Sequence, residues 1–196
     1  MTDLHQRNLA LFFTRGLSLA RWQKLGILDR EIKIYQRLAE VFHTVYLFSY
    51  GTDESVAYKK YFPENVVIVS KPRGVPALIY SFLLPFFHAK KLRGVSFLKT
   101  NQMDGSWAAV IAKKAYKKKL IVRCGYEWLF TLRQKKSLFL KRWFAWCVEY
   151  VAYRNADRIV MTALPAVQFV QQEFSIKGER RSEEHTSELQ SRSAIS

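Results

Sequence analysis

Residues 95–128 read VSFLKTNQMDGSWAAVIAKKAYKKKLIVRCGYEW, and the fold is decided there. An apolar strand, VSFLKTN, runs into the polar loop QMDGSW. A lysine-rich helix, AAVIAKKAYKKK, follows, and a second strand, LIVR, opens into CGYEW. Strand, helix and strand in this order predict a βαβ unit, because parallel neighbours need a crossover between them. Its two loops, 99–107 and 123–128, fall at the carboxyl ends of strands, where open parallel sheets bind their ligands. Asn101, Gln102 and Asp104 in the first loop and Arg123, Tyr126 and Glu127 in the second are therefore candidate site residues. Arginine can hold an anion, a carboxylate can accept hydrogen bonds from hydroxyls, and an aromatic ring can stack on a sugar.

Working outward, residues 9–14, 44–49, 66–70 and 158–162 read as further short apolar strands bounded by turn residues. Asp29 is placed to cap a helix whose apolar residues Ile32, Tyr35, Leu38, Ala39 and Phe42 recur every three or four positions. A helix over 76–91 is expected to bend near Pro85. Asp104 is placed to cap a helix burying Trp107, Val110, Ile111 and Ala115, with Lys113, Lys114 and 117–119 facing outward or flanking its end. An aromatic helix over 138–154 precedes the strand at 158, and a last helix begins near Pro165. About six strands alternating with helices predict an α/β fold, a Rossmann-like, doubly wound, mainly parallel sheet in one domain.

The 196 residues are 49% hydrophobic and 15% aromatic, enough to bury one good core. Lys and Arg number 32 against 16 Asp and Glu, a net charge of +16 that points to an anionic partner: nucleic acid, anionic lipid or a phosphorylated substrate. No nucleic-acid-binding motif accompanies the charge, and the strand-end loops are mixed rather than uniformly basic, which disfavours nucleic acid. Cys124 and Cys147 form no CxxC pair and read as reduced thiols of a cytoplasmic protein. Residues 9–13 are too short for a secretion signal, and neither 77–89, interrupted by Pro85, nor 138–153, carrying Lys141, Arg142 and Glu149, can span a bilayer.

Gly16 lies where a nucleotide-binding sheet puts its phosphate loop, but Arg15-Gly16-Leu17-Ser18 is neither GxGxxG nor a P-loop. It is either a loop that lets a phosphate approach backbone amides or an ordinary turn. The four histidines are scattered without metal-ligand spacing, so neither metal nor other cofactor is expected, and GxSxG is absent. The aromatic helix mixes Trp143, Phe144 and Trp146 with Lys135, Lys136, Lys141 and Arg142, a pattern that suits a helix at a membrane surface as well as a core helix with one wet edge.

Taken together, Gly16-Leu17-Ser18-Leu19, Arg30-Glu31 with Tyr35, Asp104-Gly105-Ser106-Trp107, Arg123-Cys124-Gly125-Tyr126 and Ala156-Asp157-Arg158-Ile159 resemble the amino-terminal domain of glycosyltransferase family 4. The resemblance spans about 9–176 and implies one half of a GT-B fold, in which two Rossmann-like domains face each other. It implies a retaining transfer of a sugar from a nucleotide-sugar co-substrate to a hydroxyl of a lipid-linked or polysaccharide acceptor. Gly16 and Ser18 would then border the donor phosphates, and the six strand-end residues would line the acceptor side. No catalytic acid or base is implied. Many relatives carry histidines after the fourth strand, where this chain has Lys99-Thr100-Asn101-Gln102. A location on the inner face of the membrane, with Lys135, Lys136, Lys141, Arg142 and Trp143 at an anionic surface, fits both charge and family. A basic nucleic-acid-binding module and a noncatalytic partner subunit are the alternatives.

The domain is expected over 1–180. Residues 181–191, RSEEHTSELQS, resemble the conceptual translation of a sequencing-library adapter, and 181–196 is expected to be a non-native, unstructured tail. The family's donor-binding domain would follow the last helix, so a truncated enzyme, inactive by itself, is expected.

Overall fold

A computed structural model describes residues 4–124, 128–161 and 164–176 and the backbone of 181–183. Seven strands form one sheet: β1 (Asn8–Phe12), β2 (Thr44–Phe48), β3 (Val66–Val69), β4 (Phe97–Thr100), β5 (Lys119–Cys124), β6 (Arg158–Met161) and β7 (Arg181–Glu183). All neighbours are parallel, in the order β3-β2-β1-β4-β5-β6-β7. The fold is α/β and Rossmann-like, as the sequence leads one to expect. β1 is the most enclosed strand, since Leu9, Ala10, Leu11 and Phe12 are all buried. Such unbroken burial marks a central parallel strand covered on both faces.

The chain moves outward from β1 to β3, then returns and moves outward the other way from β4. Right-handed crossovers consequently put the helices of the two halves on opposite faces. One face carries α1 (Leu19–Lys24), α2 (Leu28–Val41) and the short α3 (Glu54–Ala57). The other carries α4 (Ala77–Phe87), α5 (Ala89–Arg93), α6 (Ser106–Tyr116), α7 (Trp128–Gln134), α8 (Phe139–Asn155) and α9 (Leu164–Phe174). On the first face Trp22 of α1 stacks on Phe13 at 4.6 Å and on Tyr35 of α2 at 5.9 Å, locking both helices onto the end of β1.

Several local expectations are corrected. Asp29 does not cap α2: Ile27 holds the N-cap position without a side-chain bond, and Asp29 lies inside the first turn, where a negative charge complements the helix dipole. Asp104 does not cap α6, because Gly105 at φ 91° is the N-cap and the carboxylate is engaged elsewhere. The helix over 76–91 is not merely bent near Pro85. It ends at Phe87, and α5 restarts at Ala89 after a break at His88 (φ −115°, ψ 27°), whose ring is tied back to the Tyr80 hydroxyl at 2.9 Å. Ala115 is exposed, and Ala108, Ala109 and Ala112 are buried in its place. Lys113 turns inward at its tip, donating to the Asn155 carbonyl and to Asp157 Oδ2, each at 2.6 Å. Residues 181–183, within the segment read as a non-native tail, pair with β6 as the edge strand β7; such pairing uses main-chain groups and asks little of the side chains.

Candidate functional site

The strand order reverses between β1 and β4, and the crevice outside their carboxyl ends is the place where such sheets bind ligands. The loops that follow these two strands are joined. Arg15, after β1, donates from its backbone N–H to the Asp104 carbonyl at 3.0 Å. Its Nε and Nη2 donate to Asp104 Oδ1 and Oδ2 at 2.8 and 3.1 Å, a two-pronged ion pair. The close approach depends on Gly105, where a Cβ would come within 3.0 Å of the Arg15 nitrogen. The Arg15 guanidinium also lies 5.7 Å from the centre of the Trp107 ring, whose Nε1 donates to Ser81 Oγ at 3.0 Å. Burial raises the Asp104 carboxyl above its ordinary range while Arg15 works in the opposite direction.

A buried carboxylate holds the other side of the β1 loop. Glu54, 2% exposed, accepts from the Ala20 N–H in the first turn of α1 at 2.8 Å and from the Ser49 hydroxyl at the end of β2. Gly51 is required for this, since a Cβ there would fall 2.1 Å from Glu54 Cδ. Tyr50 N–H donates to the Leu17 carbonyl at 3.1 Å, completing the link between the two loops. The Tyr50 phenol is raised by burial first and by Asp104 second, with Arg15 and a hydrogen bond to Ser81 opposing.

Between these supports Gly16 (φ 76°) has nothing within 4 Å of where a Cβ would stand, so it faces open space in the crevice. Ser18 is the N-cap of α1, its Oγ accepting from Arg21 N–H at 3.1 Å. Asn101 is buried, 7% exposed, with its N–H on the Phe12 carbonyl at 2.9 Å and Oδ1 accepting from the Tyr35 hydroxyl at 3.3 Å. Burial and then Glu31 raise the Tyr35 phenol, and the Arg123 charge opposes them. Arg123 N–H itself donates to Thr100 Oγ1 at 3.0 Å. Gln102 is half-buried in the loop after β4. Tyr126 and Glu127 lie outside the described residues.

The structure therefore brings Asp104 to the Gly16 loop, Asn101 to Tyr35, and the Arg123 backbone to Thr100. The sequence reading did not assign Arg15, Glu54, Tyr50 or Trp107 to the site. Arg15-Gly16 after one strand and Asp104-Gly105 after another were visible, but nothing in either dipeptide names its partner.

Lys135, Lys136, Lys141, Arg142 and Trp143 gather at the turn from α7 into α8. Arg142 and Trp143 line a cavity of about 270 Å³ with Leu129, Arg133, Phe139 and Trp146. The buried stripe of α8 is Ala145, Glu149, Ala152 and Tyr153, whereas Trp143 is 57% exposed. The Glu149 carboxylate accepts from Leu129 N–H at 2.9 Å and so fastens α8 to the start of α7. Among the described residues no group of His, Cys, Asp and Glu is arranged to hold a metal ion, and no helix is long and apolar enough to cross a membrane.

No family model matches the chain, and no curated protein matches it by sequence. Solved structures do match its fold. The sucrose-phosphate synthase of Thermosynechococcus elongatus superposes with a TM-score of 0.61 at 15% identity, over 91% of this chain and 47% of that one. A glycosyltransferase from Rickettsia africae gives 0.53 at 14% identity, over 90% and 42%. Anabaena HepE, solved in complex with UDP-glucose, gives 0.53 at 13% identity, over 97% and 50%. The chain spans about half the length of these structures. At such identities the likeness establishes the fold, a Rossmann-like unit of the kind found in these glycosyltransferases.

Proposed function

We propose that the chain is the acceptor-side half of a retaining glycosyltransferase of the family 4 type, moving a sugar from a nucleotide donor to a lipid-linked or polysaccharide hydroxyl. The observation that carries this reading lies at the sheet's reversal point: Arg15–Asp104 joins the loops after β1 and β4, Glu54 holds the first turn of α1, and Gly16 between them has open space where a side chain would stand, in a fold shared with glycosyltransferases. Gly16 would let a donor phosphate approach the backbone. Asn101, Gln102, Asp104, Arg123, Tyr126 and Glu127 would face the acceptor, whose hydroxyl replaces the nucleotide at the anomeric carbon while the departing phosphate oxygen takes its proton. No side chain is assigned as acid or base. Holding both reactants in one geometry supplies much of the rate, and that needs a facing, donor-binding domain.

The basic turn between α7 and α8 supports a peripheral place on the cytoplasmic face of an anionic membrane, each lysine or arginine near such a surface contributing on the order of 1 kcal/mol. Two measurements test the reading. Calorimetric titration of the 196-residue chain with UDP- and GDP-sugars should show no binding in the micromolar range. A protein extended beyond residue 180 from the source locus should release nucleotide from one of those donors when a lipid-linked or glycan acceptor is added, and tight donor binding by the short chain would overturn the division of labour.

A further inference from the structure

Helix α4 exposes one apolar stripe along its whole length. Leu78, Ile79, Phe82, Leu83, Phe86 and Phe87 are 39–59% exposed, and they fall in two rows spaced by four residues, so they share one side of the helix. The opposite side, with Tyr80, Ser81, Leu84 and Pro85, is buried. The stripe does not stop at the helix edge. Phe82 stacks on Trp107 at 5.3 Å, Trp107 meets Phe144 edge-on at 5.9 Å, and beyond it on α8 stand Trp143 and the segment Leu138, Phe139 and Leu140, which is 69–74% exposed. Two exposed apolar patches joined through the buried Trp107 ring, on a chain that is otherwise strongly charged, mark a contact surface.

The charges around it identify the partner. No acidic residue occurs between Glu64 and Asp104, nor between Trp128 and Val148, while Lys90, Lys91 and Arg93 close one end and Lys135, Lys136 and Lys141 the other. Among the described residues the acids near this face are engaged: Asp104 holds Arg15, Glu173 holds Arg133, and the buried Glu149 accepts from Leu129 N–H. A second copy of the chain would set like charges against like around the rim. A facing sugar-donor domain belongs across the carboxyl ends of the strands, whereas this stripe runs down the flank of the sheet. An apolar centre inside a basic rim fits an anionic phospholipid bilayer, with the helix lying in the interface rather than spanning it.

We infer that α4 and the start of α8 form one insertion surface that buries apolar side chains in a phospholipid bilayer, with the basic rim on its headgroups. This rests on the membrane-facing reading of α8 and deepens it, because binding then has a component that salt does not remove. It also sets Arg15 and Gly16 one aromatic ring, Trp107, away from the lipid, so that an acceptor anchored in the bilayer presents its polar end to the crevice.

The test is flotation of the 196-residue chain with phosphatidylcholine vesicles, with and without one third phosphatidylglycerol, at low and at molar salt. Molar salt shortens electrostatic reach to about 3 Å. The chain should float with anionic vesicles in both salts. Ile79→Ser/Phe86→Ser, both at exposed positions, should keep low-salt binding and lose about tenfold at molar salt with an unchanged melting temperature. Phe86→Trp, which keeps apolar bulk, should gain fluorescence that brominated acyl chains quench. Complete release of the wild type at molar salt, or an added tryptophan that is not quenched, overturns insertion and leaves the electrostatic reading of α8 standing. No binding to any vesicle overturns both. A wild-type dimer that the double variant splits, with vesicle binding unaltered, assigns the surface to a second copy and overturns the proposal.

Discussion

Arg15 and Asp104, 89 positions apart, meet through both prongs of the guanidinium and both oxygens of the carboxylate, at 2.8 and 3.1 Å. The pair joins the loops after β1 and β4 at the sheet's reversal point, with the bond from Arg15 N–H to the Asp104 carbonyl beside it.

Asp104→Asn keeps the shape but removes the charge and one acceptor. The two side chains are 31% and 24% exposed, which limits the loss to about 1–2 kcal/mol, or roughly 2–8 °C in melting temperature for a chain of this size. Calorimetry should show this drop, and in an extended, active protein kcat should fall further than stability does. A melting temperature within a degree of the wild type would show that the loops hold together without the pair.

Gly105→Ala and Gly16→Ala separate backbone strain from steric contact. Both glycines have positive φ, which costs an L-residue about 1–2 kcal/mol. Only at Gly105 does the new methyl also press on Arg15, at 3.0 Å from its nitrogen. Gly105→Ala should therefore destabilise more than Gly16→Ala by about 1 kcal/mol or more, read from urea midpoints. Equal losses would place the origin in φ alone.

Glu54→Ala should cost about 2–3 kcal/mol, because it orphans the Ala20 N–H and leaves Ser49 without its acceptor in a buried place. Glu54→Gln should recover most of the loss: the amide oxygen can take the Ala20 bond while the Ser49 hydroxyl turns to accept from the NH2 group. Failure of the glutamine to recover stability would mean that the negative charge at the start of α1, rather than hydrogen bonding, is what matters.

His88 makes stability depend on pH with a definite sign. Burial, then Lys91, lower its imidazole to about 4. An unfolded histidine titrates near 6.5, so between these values the unfolded chain takes up a proton that the folded one refuses. Stability should fall as pH drops from about 6.5 to 4, by about 1–2 kcal/mol once solvent screening of a half-buried ring is allowed for. His88→Gln should flatten that part of the profile in denaturation at pH 7 and pH 4.5, whereas an unchanged slope would assign it to other groups.

The helices and strands long enough to repeat a pattern were legible from sequence: β1 to β6, α2, α6 and α8 lie close to their expected spans. α1, α3 and α7 were not, since helices of four to seven residues hold too few turns for periodicity to register. The site was half legible. Gly16, Asn101 and Asp104 could be named because strand ends face the crevice in any parallel sheet. Arg15 and Glu54 could not, because their roles exist only through partners brought near by the fold.

By itself, then, the sequence determined the alternation of strands and helices, hence a parallel sheet with its ligand crevice at the carboxyl ends, because hydrophobic period and crossover geometry are local or nearly local constraints. It also determined the excess of positive charge. Only the tertiary structure decided which apolar residues face outward. In α4 every position from Ala77 to Phe87 except Tyr80 and Ser81 is apolar, so composition cannot say which side is buried; contact with α6 covers one side and leaves the stripe of Phe82 and Phe86 uncovered. It decided, too, that Asp104 reaches back to Arg15 instead of capping its own helix, because a carboxylate forms a stronger link to a guanidinium held at bonding distance than to a single backbone N–H.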